Sequence, residues 1–231
     1  MKENTTKELV DIILRGILHG REERHIEYKD SMSWSWKNKD ARMIDVVKCI
    51  LGMANLPDGG YIVFGVKQQD NDFIPNGMDP EHFMSFNQDK VDDVVKNYAE
   101  PFVEVKVTKV SRDVVNNKAI SEGINEFPDD GGDFIVIEVG EFKELPVICK
   151  NNCKLHGMIE LREGAMYTRS MGKAETTEFS AQAVMREIIE LAADKSIRRL
   201  IERMGRAGIL RLISPELSDE ERFRKQEEEM K

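Results

Sequence analysis

Helical spacing of apolar residues predicts several elements of this sequence. The segment from Thr5 to His19 carries one apolar stripe, and Thr5 with Glu8 forms the capping-box pattern of a helix start. Gly16 and Gly20 indicate where this first helix frays. Three further helices are predicted, and they cover residues 40–55, residues 89–100 and a C-terminal segment from Phe179 to Arg203.

Short runs of β-branched residues predict the strands. Residues 61–66 form a continuous apolar run, which is typical of a buried strand, and the Pro-Asp-Gly-Gly turn at 57–60 precedes it. Residues 102–110 alternate valine with polar residues, as in a half-buried strand. The polar stretch at 116–132 is predicted to be a loop. The remaining predicted strands are residues 25–29, 133–139, 145–150 and 166–169.

This order of elements predicts an α+β fold, with a mostly antiparallel sheet flanked by helices and a C-terminal helical extension. We expect four segments along the chain. They are an N-terminal helix (1–20), an α+β domain (21–177), a helical segment (178–214) and a charged tail (215–231).

Composition indicates a cytoplasmic protein. The 231 residues include 40% hydrophobic and 33% charged residues, which is enough for an ordinary core with a well-solvated surface. No apolar run approaches the roughly 20 residues that span a bilayer, and residues 1–6 lack the features of a secretory signal. The three cysteines are too few and too odd in number for the disulfide framework of a secreted domain.

The net charge of -9 limits the ways in which this protein can bind nucleic acid. A protein that coats nucleic acid with its whole surface is usually basic, so that class is disfavoured. A local basic patch, or metal ions held by carboxylates, is compatible with an acidic chain. The charge therefore leaves a local site open.

The segment from Glu22 to Lys29 holds the leading candidate chemistry. On an extended strand Glu27 and Lys29 point to the same face, and Glu22 lies just upstream. Two carboxylates suit Mg²⁺ or Mn²⁺, and a nearby ammonium stabilises charge on a phosphate, which together allow metal-assisted phosphodiester hydrolysis. A solvated, charged edge strand explains the same residues, and the local sequence by itself favours that alternative.

Aromatic and basic residues supply candidate contacts with nucleic acid. An exposed tryptophan beside lysine is suited to stacking on single-stranded bases. The alternative is that the tryptophans pack on the domain surface or at a dimer contact. The candidate contact residues are Trp34, Trp36, Lys37, Lys39, Arg162, Arg169 and Lys173.

Two other patterns are weaker. Cys149, Cys153 and His156 have a spacing that hints at zinc, but they supply three ligands where a closed site needs four, so zinc is not expected. The Gly59-Gly60 pair precedes a strand and lacks the Gly-Lys-Ser/Thr of a Walker loop. Hydrolysis of ATP is therefore not expected.

The ordered motifs resemble the Schlafen AlbA_2 family over residues 20 to 177. This resemblance implies a nucleic-acid-binding domain, a type that is also described as a divergent ATP-binding domain. The matching motifs are Glu27-Tyr28-Lys29, Ala54-Asn55, Gly59-Gly60-Tyr61, Gly65-Val66 and Tyr167-Thr168-Arg169.

The resemblance to Schlafen-type nucleases implies that Glu22 and Glu27 ligate a catalytic metal. It also implies that Lys29 steadies the scissile phosphate. A third acidic residue is expected just after Gly65-Val66, where this chain has Lys67-Gln68-Gln69. Asp70 or Asp72 would have to take its place, and Asp70 is the third metal ligand that we predict.

We therefore predict a nucleic-acid-binding protein, with metal-dependent cleavage of RNA, rather than DNA, as the activity to test in Mg²⁺ or Mn²⁺. The alternative is a non-catalytic regulatory module that binds a nucleotide or nucleic acid, for example in phage defence, and Gln68 favours it. Larger Schlafen proteins surround their substrate with two lobes. Because this chain supplies one lobe, we predict a homodimer.

Overall fold

The computed structural model describes residues 6–37, 39–69, 72–124, 131–171, 174–178 and 181–206. The helices of this part of the chain are α1 (Thr6–His19), α2 (Ala41–Met53), α3 (Pro80–Ser85), α4 (Gln88–Tyr98), α5 (Arg112–Ser121) and α6 (Gln182–Arg206). The strands are β1 (Ile26–Lys29), β2 (Gly60–Phe64), β3 (Lys67–Gln69), β4 (Asp72–Ile74), β5 (Ala99–Glu100), β6 (Val105–Val110), β7 (Phe134–Val139), β8 (Ile148–Cys149), β9 (Cys153–Leu155), β10 (Met158–Leu161), β11 (Thr168–Arg169) and β12 (Thr176–Thr177).

A four-stranded sheet in the order β1-β2-β7-β6 organises the fold. The pair β1 and β2 is parallel, with Glu27 opposite Ile62, and α2 makes the crossover that a parallel pair requires. The pairs β2–β7 and β7–β6 are antiparallel, as are the smaller two-stranded sheets. The predicted α+β class with a mostly antiparallel sheet is confirmed.

One face of the sheet packs against α1 and α5. Tyr28 belongs to this apolar cluster, and its hydroxyl donates to the Ile12 carbonyl at 2.8 Å and accepts from the Gly16 N–H at 2.7 Å. A Cβ at Gly16 would lie 2.5 Å from the tyrosine ring, so the absence of a side chain there is a packing requirement. As predicted, α1 ends at His19, just before Gly20. The expectation that it frays at Gly16 is wrong, because the helix continues through Gly16, which packs against the Tyr28 ring.

Residues of β1 alternate between the two faces of the sheet, so Glu27 points away from Tyr28. Helix α2 contacts β2, β11 and β12. It begins at the predicted position, where the Asp40 side chain accepts from the Met43 N–H at 3.0 Å and caps the helix.

The side chain of Asn55 holds three parts of the chain together just after α2. Its amide nitrogen donates to the carbonyls of Val147 at 2.9 Å and Tyr167 at 3.0 Å, and its oxygen accepts from the Val147 N–H at 2.7 Å. Asn55 is 1% exposed. The Ala-Asn motif is therefore a buried clamp that brings the 147 and 167 segments to the end of α2.

Helix α5 occupies part of the stretch that was predicted to be a loop, so that prediction is wrong for residues 116–121. Only Arg112, Val115 and Ala119 of this helix are buried, so it carries a weak apolar pattern that its polar neighbours conceal. Residues 125–130 of the predicted loop lie outside the described residues. The predicted strand at 145–150 is reduced to the two residues of β8.

The chain divides into two units, and the boundary between them falls after Ile189. In the first unit, Val184 and Ile188 of α6 are buried. In the second unit, α6 continues from Glu190 to Arg206, and Ile197, Leu200 and Ile201 are each at least half exposed. Within the described part of the chain, no helix combines the length and the apolarity needed to cross a membrane.

Candidate functional site

Glu27 lies between two cations. Its Oε1 accepts from the Lys29 ammonium at 2.6 Å, and its Oε2 accepts from the Arg169 guanidinium at 2.7 Å. The predicted placement of Glu27 and Lys29 on one face of β1 is confirmed. Burial lowers the pKa of Lys29, but the charge of Glu27 and their hydrogen bond outweigh it and leave that pKa above its ordinary value.

Arg169 is entirely buried, although sequence reasoning placed it among the contacts with nucleic acid. Besides Glu27, its guanidinium donates to the carbonyl of Arg24 at 3.1 Å and to the Thr176 hydroxyl at 3.3 Å. A guanidinium with no exposed surface does not reach a phosphate, so the prediction of direct contact is wrong for Arg169. This residue instead fastens the 168–177 segment to β1.

Glu22 lies beside this cluster, and its Oε1 accepts from the Tyr28 N–H at 3.3 Å. Burial and then the charge of Glu27 raise the pKa of Glu22, and the hydrogen bond from Tyr28 offsets part of that shift. The hydrogen bond from the Tyr28 N–H holds the Glu22 carboxylate against β1, the strand that carries Glu27 and Lys29. The three predicted residues Glu22, Glu27 and Lys29 are therefore brought together.

The side chains of this cluster are poorly suited to ligate a divalent cation. Both oxygens of Glu27 already accept from cationic side chains, and Glu22 is the remaining carboxylate of the predicted set. Gln68, at the expected third position, is exposed on β3, and Asp70 lies outside the described residues. Among the residues that are described, no three His, Cys, Asp or Glu side chains form a group that would hold a metal ion.

Helix α2 contributes three residues to the surroundings of this cluster that sequence reasoning missed. Cys49 is buried beside Arg169, with the sulfur 3.9 Å from the guanidinium. Lys48 lies 3.7 Å from Asp45 and 3.3 Å from Glu160 of β10. Their spacing along α2 places all three on one helix face, which was the signal available in the sequence.

Trp34 is 3% exposed, so the prediction of an exposed stacking surface is wrong for this residue. Its ring packs against Phe86, and its indole N–H donates to the Lys90 carbonyl at 3.3 Å. Trp36 is half-buried, and the centroid of its ring lies 5.0 Å from that of Tyr98. The Lys39 ammonium lies 5.6 Å from the centroid of the Trp36 ring. Only Trp36 of the two keeps part of its surface in solvent.

The other predicted basic contacts differ in their surroundings. Lys37 is exposed beside Trp36. Arg162 is also exposed, but its guanidinium is paired with Glu178. Lys173 lies outside the described residues. Of the predicted contacts, Trp36, Lys37 and Lys39 therefore form one surface that combines an aromatic ring with lysine.

The fold and the cluster around Glu27 define a class of α+β domain in which a buried glutamate lies between a lysine and an arginine. The chain belongs to the Schlafen AlbA_2 family, because the model of that family matches residues 22–176. This match confirms the resemblance carried by the ordered motifs, and it indicates a nucleic-acid-related domain.

A search of curated proteins returned no match. Among solved structures, the chain is similar to the DIP2311 protein from Corynebacterium diphtheriae, with 14% sequence identity and a TM-score of 0.39. The similarity covers 74% of this chain and 26% of that one, so the chain spans about a quarter of that protein's length. A likeness of this degree supports no conclusion about function.

Proposed function

We propose that this protein is a nucleic-acid-binding module in which Glu27 has a structural role and does not bind a catalytic metal. The observation that carries this proposal is that both oxygens of Glu27 are held by cations, Lys29 on one side and the buried Arg169 on the other. A carboxylate held in this way would have to break a buried ion pair before it could ligate a metal, and breaking such a pair is costly.

The contact surface in this proposal is formed by Trp36, Lys37 and Lys39. Lysine neutralises phosphate, and the part of the tryptophan ring that remains in solvent offers a flat apolar surface to a base. A local surface of this kind is compatible with the net charge of -9, because binding then depends on a few cations and not on the whole protein. Lys29, whose side chain is 24% exposed, adds a further ammonium near Glu22.

A second candidate function is metal-dependent cleavage of RNA. It is favoured by the environment of Glu22, because burial and then the charge of Glu27 raise the pKa of Glu22. Mg²⁺ or Mn²⁺ would relieve repulsion between two carboxylates. This function requires that Glu27 exchange a cationic side chain for the metal, and Asp70 is the third ligand it would recruit.

A cleavage assay with a conservative variant separates the two candidates. End-labelled transfer RNA, single-stranded RNA and single-stranded DNA are incubated with protein in Mn²⁺, in Mg²⁺ and in EDTA. The variant is Glu22→Gln, which keeps an oxygen for the Tyr28 N–H but removes the charge, and the control is Glu23→Gln on the exposed Arg15 pair. We expect a gel shift without cleavage. Metal-dependent cleavage that Glu22→Gln abolishes and Glu23→Gln retains would overturn the binding proposal in favour of the nuclease.

The binding surface has its own test. Lys37→Ala and Lys39→Ala should each weaken the gel shift and lower the salt dependence of binding, because each removes a phosphate contact. The matched control is Lys7→Ala, which removes an exposed lysine from α1. Equal affinities for all three variants and the wild type would show that the surface around Trp36 is not the contact.

The assembly and location of the protein are also proposals. We propose a cytoplasmic homodimer that favours RNA over DNA, with two copies supplying the two sides of a groove, and a role in phage defence as one setting for such a module. Light scattering at micromolar concentration tests the dimer. A mass corresponding to one chain of 26.5 kDa would contradict it.

A further inference from the structure

The hairpin of β9 and β10 ends in a tip, which we define as Lys154 to Ile159, and this tip carries exposed apolar side chains beside Lys154 and His156. Met158 is 65% exposed and Ile159 is 53% exposed. At the other end of the hairpin, Cys153 and Leu161 are buried. The hairpin is therefore anchored at its base while its tip remains in solvent.

Both faces of this tip are exposed. Successive residues of a strand point to opposite sides, so Met158 and Ile159 lie on different faces of the hairpin. Cross-strand pairing places Met158 opposite Leu155 and Ile159 opposite Lys154. An apolar surface for docking one protein face needs one exposed side. Apolar groups on two sides of a narrow projection suit insertion between two flat surfaces.

The charge of the hairpin tip favours two bases of a nucleic acid as those flat surfaces. Lys154 is exposed on the same face as Ile159, and it makes no ion pair with any described residue. An ammonium beside an apolar side chain matches a phosphate beside a base. Isoleucine and methionine are among the side chains that proteins insert as wedges between base steps.

The hairpin adjoins both parts of the candidate site. Glu160, next to the tip, contacts Lys48 of α2 at 3.3 Å, and Lys48 lies 3.7 Å from Asp45, whose charge acts on Lys29. On its other side, Cys153 at the base of the hairpin lies near the Tyr98 hydroxyl, whose pKa is raised to about 12 by burial and then by that thiol.

Tyr98 in turn packs against Trp36 of the proposed contact surface. The base of the hairpin is thus linked to Trp36 through Tyr98. We expect a strand of nucleic acid bound at Trp36 to extend toward the tip.

We propose that the β9–β10 tip inserts Met158 and Ile159 between adjacent bases of the bound nucleic acid, with Lys154 contacting a flanking phosphate. This inference rests on the proposed nucleic-acid-binding function. It adds a specific element that unstacks bases without reading their sequence, because isoleucine has no hydrogen-bonding group and the methionine thioether is only a weak acceptor.

The test uses single-stranded RNA of about 16 nucleotides with 2-aminopurine at a central position, a length at the upper end of the site sizes of single-strand binding folds. The fluorescence of 2-aminopurine rises when it unstacks. The tip variant is Met158→Ala with Ile159→Ala. The matched control is Met84→Ala with Ile120→Ala, which truncates the same two residue types at positions that are 72% and 66% exposed elsewhere on the domain.

We expect fluorescence to rise when the wild type or the control binds, and to stay flat with the tip variant, whose affinity should fall about tenfold. Lys154→Ala should keep the fluorescence rise and reduce the slope of log affinity against log salt by about 0.7. All variants alter exposed side chains, so their thermal unfolding should match that of the wild type, which is checked first.

Two results would overturn the inference, and they differ in what else they overturn. If the wild type shifts the RNA but the tip variant gives the same affinity and fluorescence, the wedge is wrong and the proposed function stands. In that case the tip is free to contact a protein. If the wild type binds none of the RNA and DNA probes, the proposed function fails and the wedge fails with it.

Discussion

Replacing Glu27 with glutamine tests whether the buried ion pair holds the site together. Glu27→Gln keeps the size of the side chain and one oxygen acceptor, but it removes the charge that faces Arg169. The side chains of this pair are 9% and 1% exposed and lie 2.7 Å apart. The guanidinium would then stay buried with backbone carbonyls and the Thr176 hydroxyl as its partners.

The expected loss of unfolding free energy depends on the charge that is left without its partner. Removing one partner of a buried pair typically costs about 3–5 kcal/mol, because the other charge remains desolvated. The amide oxygen of glutamine still accepts a hydrogen bond, so we expect about 3 kcal/mol. The pair with Lys29, which is partly exposed, adds at most about 1 kcal/mol. Since domains are typically stable by about 5–15 kcal/mol, this is a large share of the total.

Urea unfolding, followed by far-UV circular dichroism and tryptophan fluorescence, measures the change. The matched control is Glu23→Gln, whose carboxylate pairs with Arg15 at 3.3 Å on the surface and should contribute less than about 1 kcal/mol. A double-mutant cycle with Arg169→Met gives the coupling, and the double variant should lose less than the sum of the two single losses.

A free energy of unfolding for Glu27→Gln within about 0.5 kcal/mol of both the wild type and Glu23→Gln would refute this reasoning. It would mean that Arg169 finds solvent or another partner at little cost, and that Glu27 is available to a ligand. The same result would favour metal-dependent cleavage of RNA as the function.

Three further predictions concern buried polar groups. Asn55→Ala should destabilise the fold by about 2–3 kcal/mol in urea unfolding, because the Val147 N–H loses its acceptor while it stays buried. Glu22→Gln should be more stable than the wild type at pH 7, and that advantage should shrink as the pH falls through the raised pKa of Glu22, since the folded wild type then takes up a proton more readily than the unfolded chain. Urea titrations at pH 5 and pH 7 measure this, and an advantage that grows on acidification would contradict it. Burial raises the pKa values of Cys49 and Cys149 to about 11, so a thiol reagent at pH 8 should modify them only after unfolding.

Local sequence patterns were sufficient to predict the helices and strands whose ends are marked by a nearby capping residue or turn. The helix predicted over residues 40–55 is α2, because Asp40 caps it and its apolar positions repeat at helical spacing. The apolar run after the Gly59-Gly60 turn is β2. Alternation along β1 was also enough to place Glu27 and Lys29 on one face, where they are 2.6 Å apart.

The role of Arg169 was outside the reach of such patterns. An arginine beside a short strand predicts a surface cation, because arginine is rarely buried without a partner. Its partner is Glu27, which is 142 positions away in the chain, and the pairing exists because β11 folds against α2 and β1. The same limit applies to Trp34, which is buried because Phe86 covers it.

The sequence by itself therefore determined the order of the elements, the family motifs and the placement of Glu27 and Lys29 on one face of β1. Only the tertiary structure decided which of those residues face solvent and which neutralise each other. The physical reason is that burial and ion pairing depend on neighbours contributed by distant segments. A carboxylate that reads as a metal ligand in isolation becomes half of a buried ion pair once Arg169 lies beside it.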